Sequence, residues 1–75
     1  MSAQLQQLIH MANQIADNNR HHDSESEAVL IIANHLKRFW ARSMKQQIVA
    51  YAQADGDQLN KTARAAIDLL ADQYS

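Results

Sequence analysis

The chain has 75 residues, and among them are no cysteine, no proline and a single glycine. The absence of cysteine excludes a disulfide framework and any metal site built on thiolates. A single glycine excludes a glycine-rich phosphate-binding loop, which needs several glycines at fixed spacing. At this length we expect one domain over residues 1–75.

Long hydrophobic runs and excess charge are also missing. The longest apolar run is the six residues 28–33, which is too short to span a bilayer. Residues Met1–Gln4 lack the basic and apolar regions that open a signal peptide. The net charge of −1 gives no global attraction for nucleic acid or an anionic membrane. We therefore expect a cytoplasmic protein without a membrane or nucleic-acid partner.

The residues that are abundant are strong helix formers, and apolar positions recur with a period of 3.6. The pattern predicts an all-α fold, a small antiparallel bundle of three to four short helices. The predicted helices run over about 3–18, from just after residue 24 to about 40, over 44–54, and from just after residue 60 to about 73.

Polar residues at fixed offsets predict where these helices begin and end. Ser24 followed by Glu27 is the signature of a capping box, and Asn60 is predicted to cap the last helix. Gly56 suits the left-handed position that ends the third helix. The break before that helix is placed at residues 41–43, with Ser43 as its cap.

Each predicted helix has an inward apolar stripe. The second helix is apolar on nearly all sides, so we expect it at the centre of the core. The inward residues are Leu5, Leu8, Ile9, Ala12, Ile15, Ala16, Ala28, Val29, Ile32, Ala33, Leu36, Phe39, Met44, Ile48, Tyr51, Ala52, Ala63, Ala66, Ile67 and Leu70.

The only phenylalanine and the only tryptophan are adjacent, as Phe39 and Trp40, in a stretch from 28 to 54 without Asp or Glu. Four basic residues surround the pair: Lys37, Arg38, Arg42 and Lys45. Aromatic and arginine side chains carry much of the binding energy at interfaces, so the stretch predicts a binding surface. Neighbours on a helix point about 100° apart. We therefore expect Phe39 in the core and Trp40 as the contact residue.

Catalytic, cofactor and metal sites are not predicted. No two of the four histidines have the i, i+3 or i+4 spacing that aims two imidazoles at one ion. The acidic residues fall in caps and loops, where helix dipoles and solvent explain them. One alternative stays open: the basic aromatic segment 37–42 lies between two helices and superficially resembles a helix-turn-helix, as in a small nucleic-acid-binding regulator.

Three blocks of sequence resemble the delta subunit of NAD-dependent, molybdenum-containing formate dehydrogenase. The first block is 8–16 (LIHMANQIA), the second is 35–40 (HLKRFW) followed by 44–48 (MKQQI), and the third is 56–59 (GDQL) followed by 65–70 (AAIDLL). Their order and spacing match the family over about residues 5–71. The family usually has Pro-Arg before the Met of the second block, where this chain has Arg42-Ser43.

The resemblance implies a non-catalytic accessory subunit without a cofactor, in a cytoplasmic complex that oxidises formate and reduces NAD. It implies binding of the catalytic (alpha) subunit and a role in assembly, stability or molybdenum cofactor insertion. A homodimer of the isolated chain is a further expectation. The predicted partner-binding residues are Asn13, Gln14, Arg38, Trp40, Arg42 and Lys45.

Overall fold

The computed structural model describes residues 2–20 and 24–74 of the chain, and of Tyr74 only the backbone. It contains four helices and, within those residues, no strand. The helices are α1 (Ala3–Asn18), α2 (Glu25–Phe39), α3 (Arg42–Ala54) and α4 (Lys61–Tyr74). The predicted all-α class is confirmed, with four helices rather than three.

Side-chain caps begin three of the helices. The Oγ of Ser24 accepts a hydrogen bond from the backbone N–H of Glu27 at 3.1 Å, and the Oδ1 of Asn60 accepts one from Ala63 at 2.8 Å. Both predicted caps are confirmed. Ser2 caps α1 in the same way, through the N–H of Leu5 at 3.0 Å, although the sequence analysis did not assign it.

The end of α3 is built around Gly56, as predicted. Its φ of 68° lies in the left-handed region, which side chains other than glycine rarely adopt. Its backbone N–H donates to the carbonyl of Tyr51 at 3.0 Å, and this bond closes the last turn. A Cβ added here would lie 3.0 Å from the carbonyl oxygen of Ala52 and 3.0 Å from the Cζ of Arg64.

The start of α3 was predicted wrongly. Ser43 is not its cap, because the helix already begins at Arg42 and the capping position is Ala41, whose side chain offers no hydrogen bond. The break is therefore shorter and earlier than the sequence indicated, consisting of Trp40 and Ala41 in extended conformation.

The apolar stripes meet in one hydrophobic core. In α2 the residues Ile32, Ala33 and Leu36 are completely buried, and this helix packs most extensively against α4. The other side of α2 is not covered, so α2 is only half enclosed by the rest of the chain. The core residues are Leu8, Ile9, Ala12, Ala16, Ile32, Ala33, Leu36, Trp40, Ile48, Tyr51, Ala52, Leu59, Ala63, Ala66, Ile67 and Leu70.

Candidate partner-binding surface

The junction between α2 and α3 positions the basic aromatic residues. Helix α2 ends at Phe39, and Trp40 then takes φ −86° and ψ 139°, followed by Ala41 with φ −62° and ψ 153°. Two extended residues thus separate α2 from α3 without a proline. The basic side chains Arg38 and Arg42 flank this junction on its two helices, and both are exposed.

The prediction for the aromatic pair is wrong at both positions. Trp40 is only 6% exposed and belongs to the core, whereas Phe39 is 68% exposed. The two rings do point in different directions, but the helix stops between them. Because Trp40 is in extended conformation, its side chain no longer follows the helical rotation and enters the core under the junction. Trp40 is therefore not an exposed contact residue in this structure.

Phe39 is held by two neighbours on the outer side of α2. Its ring centroid lies 5.0 Å from that of His35, with the ring planes tilted by 43°. The guanidinium carbon of Arg38 lies 5.6 Å from the same centroid, within the range of a cation–π interaction. These three side chains line one depression together with Ile31 and Asn34. We call these five residues the Phe39 surface.

Exposed apolar side chains are concentrated on α2. In the described part of the chain, the large hydrophobic residues that are exposed are Leu30 at 53%, Ile31 at 37% and Phe39. Ile31 and Phe39 line the same depression, whereas Leu30 lies on the other side of α2, beside Lys61 and Ala65 of α4. A helix that is apolar on all sides normally lies inside a protein. The outer face of α2 therefore has the composition of a surface that another molecule covers.

The first turns of α3 form a second feature beside the junction. Arg42, Lys45, Gln46 and Val49 recur at helical spacing and line a shallow groove of about 190 Å³. The ammonium group of Lys45 donates to the carbonyl oxygen of Lys37 at 2.9 Å. That carbonyl is among the last four of α2, which have no partner inside the helix. Lys45 thus fastens the start of α3 to the end of α2.

Asn13 has an internal role that the sequence analysis missed. Its Nδ2 donates to the carbonyl of Gln58 at 2.8 Å, and its Oδ1 accepts from the backbone N–H of Asn60 at 2.8 Å. Both of its polar atoms are thus used within the chain, to fix α1 to the loop that precedes α4. Its neighbour Gln14 is exposed. No signal in a single sequence points to a contact between residues 47 positions apart.

The six predicted partner-binding residues therefore separate into three groups. Arg38 and Arg42 are exposed at the α2–α3 junction, and the half-buried Lys45 binds across it. Trp40 lies beneath that junction, in the core. Asn13 and Gln14 lie on α1, away from the junction in the chain: Asn13 contacts the 58–60 loop, and Gln14 is exposed. The residue that sequence reasoning missed as a surface residue is Phe39.

The described side chains do not form a group that could bind a metal ion. Within residues 2–20 and 24–74, no three His, Asp or Glu side chains form a group that could hold a metal ion. His10 and His35 are exposed and lie on different helices, and His21 and His22 fall outside the described residues. Among the described helices, none is both long and apolar enough to cross a bilayer.

Comparison with known proteins gives one family. The family described as NADH-dependent formate dehydrogenase delta subunit FdsD matches residues 7–67 of the chain. The match includes α1 from its second turn, all of α2 and α3, and the first half of α4. No curated protein and no solved structure is significantly similar to the chain. The Phe39 surface and the α2–α3 junction lie entirely inside the matched region.

Proposed function

The chain belongs to the family of NADH-dependent formate dehydrogenase delta subunits, and on that basis we propose that it is a non-catalytic accessory subunit that binds the catalytic (alpha) subunit of this enzyme. The complex is the cytoplasmic, NAD-dependent type that the sequence blocks resemble. The accessory role lies in assembly, in stability of the complex or in insertion of the molybdenum cofactor into the catalytic subunit. No cofactor is assigned to this chain itself.

The single observation that carries the proposal is the uncovered outer face of α2, inside the matched region. Aromatic and arginine residues are enriched at the energetic centres of protein interfaces. The Phe39 surface brings both together, and Arg42 adds a second guanidinium at the same junction. A chain with its catalytic partner on this face would bury side chains that are otherwise exposed to water.

The residues proposed to contact the catalytic subunit are Phe39, Arg38 and Arg42, with Gln14 as a separate exposed contact on α1. The other three predicted residues act indirectly. Trp40 and Lys45 fix the shape of the α2–α3 junction, and Asn13 fixes α1 to the loop before α4.

A second copy of the chain is the competing occupant when the catalytic subunit is absent. Helix α2 has Glu25 and Glu27 in its first turn and Lys37 and Arg38 in its last, so two antiparallel α2 helices would oppose unlike charges. One face of α2, about 22 Å long and about 10 Å wide, offers about 220 Å², which is less than the roughly 800 Å² per partner of a stable interface. We therefore propose weak pairing of the isolated chain, which gives way to the catalytic subunit.

Co-purification tests the proposed function. The chain, tagged at one end, is expressed together with the catalytic subunit from the same organism, and the mixture is separated by affinity and size-exclusion chromatography. The proposal expects a stoichiometric complex that survives moderate salt. Failure of the two chains to co-elute, together with a mobility shift of duplex DNA that disappears steeply with salt, would favour the nucleic-acid-binding alternative.

A further inference from the structure

Phe39 is an exposed side chain that several neighbours hold in place. Its chain neighbour Trp40 is buried, and Leu36, one turn earlier on α2, is completely buried. The backbone of Phe39 is therefore held on both sides by core residues. His35 and Arg38 then restrict the ring itself. An exposed aromatic ring that is already ordered loses little conformational entropy on binding, which is the property of an interface anchor.

The charged residues near Phe39 in the sequence are all basic. From residue 28 to residue 54 there is no acidic side chain, while Lys37, Arg38, Arg42 and Lys45 lie close to it in the chain. The remaining residues contain eight acidic and three basic side chains, so this stretch has a net positive charge and the rest of the chain a net negative one. Complementarity then requires carboxylates on the occupant of this surface.

The inference rests on the proposed function and makes it more specific. We propose that Phe39 is the anchor of the interface and enters an apolar pocket on the catalytic subunit, whose rim carries Asp or Glu side chains that pair with Arg38 and Arg42. The apolar pocket removes the ring from water, and the carboxylates fix its approach. The Phe39 surface thus binds an acidic protein surface that contains an apolar pocket, in preference to a nucleic-acid backbone or a second copy of this chain.

Binding of purified variants to the catalytic subunit, measured by biolayer interferometry over a range of salt, tests the anchor. F39A should weaken binding on the order of 30-fold or more, as truncation of a hot-spot aromatic does. L30A is the matched control, because Leu30 is a similarly exposed apolar residue on the same helix. L30A should change the affinity less than about threefold, since residues outside the hot spot contribute little.

Charge reversal tests the acidic rim independently of the ring. R38E should slow association on the order of tenfold at low salt and much less at high salt, as rim charges affect mainly the association rate. K61E makes the same change of charge on α4 and should leave the association rate near that of the unaltered chain. An R38E variant that associates as fast as K61E would contradict the proposal that acidic side chains surround the pocket.

These binding measurements distinguish failure of the proposed function from failure of the proposed role of Phe39. If the unaltered chain does not bind the catalytic subunit, the proposed function fails. If it binds and F39A binds equally well, the function stands and the anchor is overturned. Emission from Trp40, the only tryptophan, reports whether F39A keeps the buried junction. Should F39A shift that emission to the wavelength of exposed tryptophan, F39Q, which keeps a long side chain without the apolar ring, takes its place, and unchanged binding by F39Q overturns the proposal.

Sedimentation of the free chain identifies the competing occupant. The proposal expects no more than weak, concentration-dependent pairing of the isolated chain, abolished by the catalytic subunit. A stable homodimer that F39A dissociates and that excludes the catalytic subunit would assign the Phe39 surface to a second copy instead.

Discussion

Asn13 on α1 and Asn60 before α4 form a reciprocal pair. The Oδ1 of Asn13 accepts from the backbone N–H of Asn60 at 2.8 Å, and the Nδ2 of Asn60 donates to the backbone carbonyl of Asn13 at 3.4 Å. Asn60 at the same time caps α4 through the N–H of Ala63. One amide side chain thus fixes α1 to the residue from which α4 begins, and this explains why Asn13 does not extend into solvent.

N13A should therefore lower the stability of the fold. It removes the hydrogen-bond partners of the exposed Gln58 carbonyl and of the half-buried Asn60 N–H, and each such bond contributes about 0.5–1.5 kcal/mol. Chemical denaturation monitored by circular dichroism measures the change in the free energy of unfolding. Q14A is the control, since Gln14 is the exposed next residue. Q14A should stay within about 0.5 kcal/mol of the unaltered chain.

The same pair of variants separates the internal role of Asn13 from the contact role first predicted for it. If N13A binds the catalytic subunit normally once folded, Asn13 acts only within the chain. Equal stability of N13A and Q14A would contradict the assigned hydrogen bonds.

Gly56 should not tolerate a side chain. G56A places a non-glycine residue at a φ of 68° and a Cβ 3.0 Å from the backbone oxygen of Ala52. The dihedral alone costs about 1–2 kcal/mol, and the contact with a backbone atom adds to it. Thermal unfolding measures the loss. Because the Arg64 guanidinium is the other close neighbour and is flexible, G56A should be only partly rescued in an R64A background; full rescue would place the clash on Arg64 alone.

The α2–α3 junction should accept a proline at one position. Arg42 is the first residue of α3, where the N–H has no partner inside the helix, and Ala41 before it already has the extended conformation that a following proline requires. R42P should preserve the fold. It should raise the free energy of unfolding by about 0.4–1 kcal/mol, because proline lowers the conformational entropy of the unfolded chain. The family that the three sequence blocks resemble usually has proline at this position.

S43P supplies the matched control for the junction. The residue before it, Arg42, is helical, and proline disfavours that conformation in its predecessor. S43P should therefore destabilise the protein while R42P does not. The reverse order of stabilities would mean that α3 begins after Arg42. Weaker binding by a stable R42P would in addition report the loss of the Arg42 guanidinium at the interface.

The elements of this fold were predictable where the signals are local. Ser24, Asn60 and Gly56 act within a few residues of themselves, and their roles as caps and terminator are confirmed. The apolar stripe of α4 was also predictable, because the helical period alone decides which of its side chains face inwards.

The candidate surface was less predictable, because it depends on the exact residue at which α2 ends. Periodicity places Phe39 on the inward stripe, one turn after Leu36, but Phe39 is the last residue of α2 and stays 68% exposed at the end of that stripe. The helix boundary also decides that Trp40 leaves the helical rotation and enters the core. Contacts such as Lys45 to the Lys37 carbonyl, or Asn13 to Asn60, depend on tertiary packing that no local pattern encodes.

The most direct measurement of the central claim is the solvent exposure of the Phe39 ring with and without the catalytic subunit. Hydroxyl-radical footprinting read by mass spectrometry gives the oxidation rate of each side chain, and the free chain starts with Phe39 at 68% exposure. We predict that oxidation of Phe39 falls several-fold in the complex, while oxidation of Leu30 changes little. A complex in which Phe39 is oxidised as fast as in the free chain would contradict the account.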